Sequence, residues 1–199
     1  MKDSGPENNH TTPVSDGLLY HCPVCGLSVD MQSQQDNIPY FGDILEVSIV
    51  CCCGFKFVDT IILSQKEPMR HQKRICREND LCDRVIRSTS GTIRIPEWGV
   101  DIEPGPASEA YITNVEGIIE RLQSIVHMAK KWSETDEERQ RAEMLLDTMQ
   151  VARNGRPDFT FIIEDPLGNS AIIADGVEVV KLSADEAQDL PTGMFIVQK

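Results

Sequence analysis

The chain has 199 residues, 40% of them hydrophobic and 26% charged, with a net charge of −13 and a sequence pI of about 4.7. That size and mix suit one ordinary domain, or a small module beside a modest domain, and exclude a chain too polar to fold. Gripping phosphates needs an excess of Lys and Arg, so 19 basic against 32 acidic residues argue against nucleic acid as the main partner; the charge suits a protein partner of basic character, or serves solubility alone.

The first element is a leader. Residues 1–17 are polar, carry Gly5, Pro6 and Pro13, and lack the apolar stretch of a signal peptide. They read as disordered, and the protein as cytoplasmic. No run approaches the roughly 20 apolar residues of a membrane span, so no membrane partner is expected.

Residues 18–65 read as strands and turns around cysteines. Asp43 to Val50, with Ile44, Val47 and Ile49, predicts one strand, and Phe55 to Leu63 a second, with Cys51 to Gly54 between them. Residues 66–199 read as a β-rich domain. Arg84 to Arg87 and Thr92 to Ile95 flank the turn Ser88-Thr89-Ser90-Gly91, and Pro96, Pro104, Gly105 and Pro106 punctuate the next stretch.

A helical hairpin is predicted over about residues 113–154. Val115, Ile118, Ile119, Leu122, Ile125, Val126 and Ala129 recur at three and four residues, which places them on one face. Thr113 with Glu116 makes a capping box before them, and Thr135 with Glu138 another before a second helix that carries Ala142, Leu145, Leu146 and Met149. Gly117 is out of place, since glycine inside a helix costs about 1 kcal/mol relative to alanine. Asn154-Gly155 and Pro157 stop the second helix. Strands return at Phe159 to Ile163, Ala171 to Ala174, Val177 to Leu182 and Met194 to Val197, with a short helix at Ser183 to Leu190.

Seven cysteines are present, and four stand as two pairs, each followed by glycine: Cys22-Pro23-Val24-Cys25-Gly26 and Cys51-Cys52-Cys53-Gly54. A zinc knuckle is a tight turn that aims two thiolates at one metal, with backbone N–H groups on the sulfurs and glycine supplying the positive φ. Disulfides need an oxidising compartment, and no export signal points to one. Iron held by four thiolates is chemically open, but nothing else suggests electron transfer. Catalytic zinc keeps an open position and favours His or carboxylate ligands. One closed structural zinc per chain is therefore expected on Cys22, Cys25, Cys51 and Cys53. The second knuckle is one residue short; Cys51 and Cys53 can both turn inward, which leaves Cys52 pointing away. Cys76 and Cys82 read as buried small hydrophobes. His10, His21, His71 and His127 form no ligand pattern.

No P-loop, dinucleotide fingerprint or nucleophile elbow is present, so no enzyme activity and no small-molecule substrate are expected. Asp165-Pro166-Leu167-Gly168-Asn169-Ser170 reads as a structural loop, because Pro, Gly and Asn are what a turn requires.

Seven segments in order resemble the ZPR-type zinc-finger family, known for binding elongation factor 1-alpha. They are Cys22-Pro-Val-Cys25, Ile38-Pro-Tyr-Phe41, Cys53-Gly-Phe55, Asp80-Leu81 through Arg84-Val85 to Arg87-Ser88, Ile95-Pro-Glu97, Thr113-Asn-Val-Glu-Gly117 and Asp165-Pro-Leu-Gly-Asn-Ser170, spanning about residues 20 to 173. The resemblance implies a zinc-ribbon-like finger followed by a β-rich domain of double-stranded β-helix type carrying a helical hairpin. That agrees with the mainly β, α+β reading of the residues. Eukaryotic members carry two such units in tandem; this chain has one, as archaeal relatives do. It departs from the family in the shortened knuckle, and its last 25 residues match no family motif.

The function implied is binding or chaperoning of elongation factor 1-alpha. Tyr40, Phe41 and Phe55 are the candidate contacts. Aromatics beside a proline on a loop often anchor an interface; the alternative is that they pack under the zinc site as a small core. A nucleic-acid- or ribosome-associated zinc-ribbon regulator is the second reading. It would need basic side chains clustered on the finger, and the short Met69-Arg70-His71-Gln72-Lys73-Arg74 is the only such cluster.

Overall fold

In a computed structural model, residues 19–193 are described; the expected leader, residues 1–17, and the expected strand Met194 to Val197 lie outside them. The chain divides into two compact units, with the boundary between Ser64 and Gln65.

The first unit is one antiparallel sheet of four strands in sequence order: β1 (Leu19–His21), β2 (Ser28–Ile38), β3 (Gly42–Val50) and β4 (Lys56–Ile62). Strand β2 had no signature in the sequence, because its side chains are mostly polar and exposed on both faces. It is nonetheless paired along its length, from Met31 opposite Ile49 to Ile38 opposite Gly42. At the usual rise per residue, β2 carries the chain about 33 Å from the first cysteine turn. Pro39, Tyr40 and Phe41 make the turn at its end. They are the tip of a long hairpin. Gly42 closes that turn at φ +73°, and a side chain there would overlap Ser64, whose hydroxyl accepts a hydrogen bond from the Asp43 N–H at 2.7 Å.

The second unit places its core between two sheets. One has five strands in the order β12 (Glu178–Lys181), β5 (Met69–Ile75), β10 (Phe159–Asp165), β7 (Thr92–Ile95), β8 (Val100–Ile102). The other has three, β11 (Ala171–Ile173), β6 (Arg84–Arg87) and β9 (Tyr111–Asn114). Phe159, Phe161 and Ile163 point inward at period two and meet Ile75, Ile93, Ile95, Val85 and Ile172. Each such large side chain, fully buried, contributes about 1.5–3 kcal/mol. The turn between β6 and β7 carries the chain from one sheet to the other, so these strands are not a hairpin.

Helices α1 (Val115–Trp132) and α2 (Asp136–Arg153) run antiparallel, with Arg153 reaching Glu116 and Lys130 reaching Glu143. Val115, Ile118, Ile119 and Leu122 are buried, but Ile125 is 50% exposed, so the hairpin is anchored by its base. The second helix has the Thr135–Glu138 capping box. The first does not use Thr113, which is still in β9. Its cap is Asn114, whose side-chain oxygen accepts from the Gly117 N–H at 2.8 Å. Gly117 is explained by the same cap, because a Cβ there would overlap Thr113 Oγ1. A short helix α3 (Ala184–Asp189) comes last, capped by Ser183 and Glu186.

The loop after β10 is organised by a buried carboxylate. Asp165 accepts from the hydroxyls of Ser88 at 2.6 Å, Ser90 at 2.7 Å and Ser170 at 2.6 Å, and from the N–H groups of Leu167 and Asn169. Gly168, at φ +68°, lies so close to the Glu67 carbonyl that no side chain fits.

Each unit holds its own apolar cluster. Residues 65–199 are therefore expected to fold without the finger. A truncated chain starting at Gln65 should give dispersed amide spectra and one cooperative melt; a molten or aggregated product would show that the two units need each other.

Candidate metal centre

Two backbone turns build the site. In the first, the Gly26 N–H donates to the Cys22 carbonyl at 2.8 Å, and the Cys22 N–H to Leu27. In the second, the Gly54 N–H donates to the Cys51 carbonyl at 3.0 Å, and the Cys51 N–H to Phe55. The turns are the same device with one residue removed. Both end on a glycine in the left-handed region, Gly26 at +73° and Gly54 at +94°. Tightening the closing bond from four residues to three is what accommodates the shortened knuckle and still delivers two sulfurs.

The sulfurs of Cys22, Cys25, Cys51 and Cys53 all lie within 4.8 Å of one another. Cys22 and Cys53 are 3.6 Å apart, and Cys25 and Cys51 3.4 Å. These separations are far too long for disulfides. They match the edge, about 3.8 Å, of a tetrahedron whose sulfurs sit about 2.3 Å from a central zinc. Cys22 and Cys51 are buried, while Cys25 and Cys53 are at the surface. Val29, Ile49, Met31 and Phe55 pack around the two buried cysteines.

Electrostatics ask for a cation here. Burial works against the Cys22 thiolate, but the N–H groups of Cys25 and Val24 outweigh it and lower its pKa to about 7. Cys25 goes the other way: the Leu27 N–H favours its thiolate, yet the Cys51 thiol and burial push it up to about 12. Cys53 is also raised, its Phe55 N–H being outweighed by the Cys51 thiol and burial. One thiol ionises readily and its neighbours then resist, because four sulfurs share one small volume. A dication removes that conflict and holds all four as thiolates. With four sulfur ligands the coordination shell is closed.

Cys52 is exposed and outside the cluster. Cys76 and Cys82 are also outside it, and both are exposed, contrary to the burial expected of them. Cys76 Sγ lies 3.8 Å from Asp80 Oδ2 at the edge of the second unit. No histidine joins the cysteines among the described residues.

The three aromatic candidates separate. Phe55 packs, partly buried, against the cysteine cluster, and Phe41 is 7% exposed at the β2–β3 turn, outside that cluster. Tyr40 is 46% exposed at the hairpin tip, with φ at +74°. The basic cluster Arg70 to Arg74 is on β5 of the second unit, not on the finger, and it is neutralised. Arg70 pairs with Glu164, Arg74 with Glu97 and Asp158, and buried Lys73 with Asp80 and Asp83. Burial opposes the charge on Asp80, but Arg77, the N–H groups of Cys76 and Arg77, and Lys73 outweigh it and hold its carboxyl well below the usual range. No described helix is long and apolar enough to cross a membrane.

Comparison with known proteins places the chain. The model of the ZPR1 jelly-roll domain matches residues 79–186, the body of the two-sheet unit. An uncharacterized ZPR1-like protein of Methanocaldococcus jannaschii is 41% identical, over 88% of this chain and 90% of its own length. Another from Pyrococcus horikoshii is 39% identical, over 90% and 83%. The zinc finger chaperone zpr1 of Schizosaccharomyces pombe is 27% identical over 75% of this chain but only 34% of its own length. The four-sulfur cluster and the zinc-finger relatives agree on the cofactor, so this is a zinc-binding protein. With a jelly-roll domain matched over half its length and archaeal relatives of its own size, the chain belongs to the ZPR1 family.

Proposed function

We propose that this chain is a non-catalytic cytoplasmic factor that binds, and assists the folding of, a translation elongation factor of the elongation factor 1-alpha type. Its zinc is structural, since four thiolates leave no position for a substrate or water. A relative at 27% identity is named a zinc finger chaperone, which supports a role exerted on another protein.

The observation that carries the reading is Tyr40. A tyrosine with positive φ costs about 1–2 kcal/mol, and this one is 46% exposed. It is held at the turn between β2 and β3, with β4 paired to β3 almost to the same end, where an aromatic ring is well placed to anchor a partner.

The test is a titration of zinc-loaded protein with purified elongation factor, in the GDP, GTP and nucleotide-free states. Specific binding is expected in at least one state. Tyr40→Gly relieves the backbone and removes the ring, so it should weaken binding about thirtyfold, a hot-spot loss of about 2 kcal/mol. Zinc content should stay the same, and the melting temperature should hold or rise. No binding in any nucleotide state at about tens of micromolar would refute the assignment. A Tyr40→Gly protein that binds normally would move the contact elsewhere.

A further inference from the structure

We infer that Arg87 and Arg121, with Tyr111 and Ser108, form a binding site for an oxyanion, a carboxylate or phosphate group, in the second unit. Arg87 ends β6 directly opposite Tyr111 on β9. Its side chain shares the inward face with Val85, which is fully buried, and Arg87 itself is 5% exposed. A buried guanidinium is costly unless an opposite charge compensates it. The other buried charges that form ion pairs here have found partners, Lys73 in Asp80 and Asp83 and Glu164 in Arg70 and Arg94. Arg87 has no carboxylate partner among the described residues. Asp165 bonds Ser88, the next residue along, and makes no ion pair with Arg87.

The guanidinium is fixed in place. Nε donates to the Gly91 carbonyl at 2.8 Å and Nη1 to Ser108 Oγ at 3.1 Å, and the stem lies so close to Gly91 that an added Cβ would crowd it. Nη2 meets no acceptor among the described residues. A second cation converges on the same ring: the guanidinium carbon of Arg121, on the second turn of α1, is 4.4 Å from the Tyr111 centroid, and that of Arg87 is 5.7 Å from it. Arg121 also forms no ion pair among the described residues. Two guanidinium groups gathered around one tyrosine, in a chain with 13 more acidic than basic residues, make a local positive pole. Their planar forks match the paired oxygens of a carboxylate or a phosphate.

The test uses the full-length, zinc-loaded, ¹⁵N-labelled protein and follows the side-chain Nε–H signals of Arg87 and Arg121. Inorganic phosphate is titrated in one arm and acetate in the other, with chloride holding ionic strength constant. Saturable shifts of both signals are expected. Saturation by phosphate alone assigns a phosphate site, and saturation by acetate a carboxylate site. Arg121→Gln, at an exposed helix position, should weaken the response about tenfold, while an unshifted Arg87 signal in the anion-free spectrum reports that the site is still folded. No saturable shift with either anion, or equal affinity in Arg121→Gln, would overturn the proposal.

Discussion

Cys25→Ser is expected to strip the zinc and unfold the first unit while leaving the second intact. The apolar cluster at the metal end of the unit holds four buried residues, and two of them are the ligands Cys22 and Cys51; the other buried apolar side chains of the unit, Phe41, Ile44 and Val47, are outside that cluster. A structural zinc supplies about 10–16 kcal/mol of apparent binding free energy at neutral pH, far more than so small a core can replace. Cys22→Ser, Cys51→Ser and Cys53→Ser should act alike. Cys52→Ser, whose thiol is exposed and outside the cluster, should keep both metal and fold. Metal analysis together with amide spectra of the β2–β3 hairpin reads the result. Retention of zinc in Cys51→Ser with loss in Cys52→Ser would show the wrong residue in the second turn. Acid should act in the same direction as these substitutions. The Cys25 thiol, pushed up to about 12 when no metal is bound, carries its proton at pH 7. Zinc must expel that proton, so affinity rises with pH and falls as acid returns protons to the sulfurs.

Asp165→Ala should be the most damaging single change in the second unit. It removes the acceptor for three serine hydroxyls and two backbone N–H groups at a fully buried point. Each buried donor left without a partner costs about 1–3 kcal/mol, and partial relaxation still leaves a loss of about 4 kcal/mol or more. Against a total stability of about 5–15 kcal/mol, that should lower the melting temperature of the unit by about 15 °C or leave it unfolded. Thermal unfolding followed in the wild type, Asp165→Ala and Ser88→Ala should rank the two variants, with the serine change much the milder. A shift of only a few degrees for Asp165→Ala would mean that the loop is held by its turn residues alone.

Much of this was legible because it depends on neighbours in sequence. Two cysteine turns, each ending in glycine, announce a metal site, and apolar residues at three and four announce α1. The type of Asp165 to Ser170 was legible too, from Pro166, Gly168 and Asn169. Its centre was not, since Ser88 and Ser90 stand 77 and 75 residues from Asp165 and meet it only after both sheets form. Strand β2 escaped because its polar side chains carry no alternation, and without it the hairpin turn that displays Tyr40 could not be foreseen. The first helix starts one residue later than its apparent capping box, because Thr113 is committed to the β6–β9 ladder opposite Val85. Cys76 and Cys82 are exposed although cysteine is usually buried, and no local signal marks the difference.

X-ray absorption at the zinc edge of the full-length protein tests the metal centre most directly. One zinc per chain, with four sulfur neighbours at about 2.3 Å and the same spectrum in Cys52→Ser, is the predicted result. A nitrogen or oxygen atom in the first coordination shell, or a spectrum that changes in Cys52→Ser, would contradict a closed centre built from Cys22, Cys25, Cys51 and Cys53.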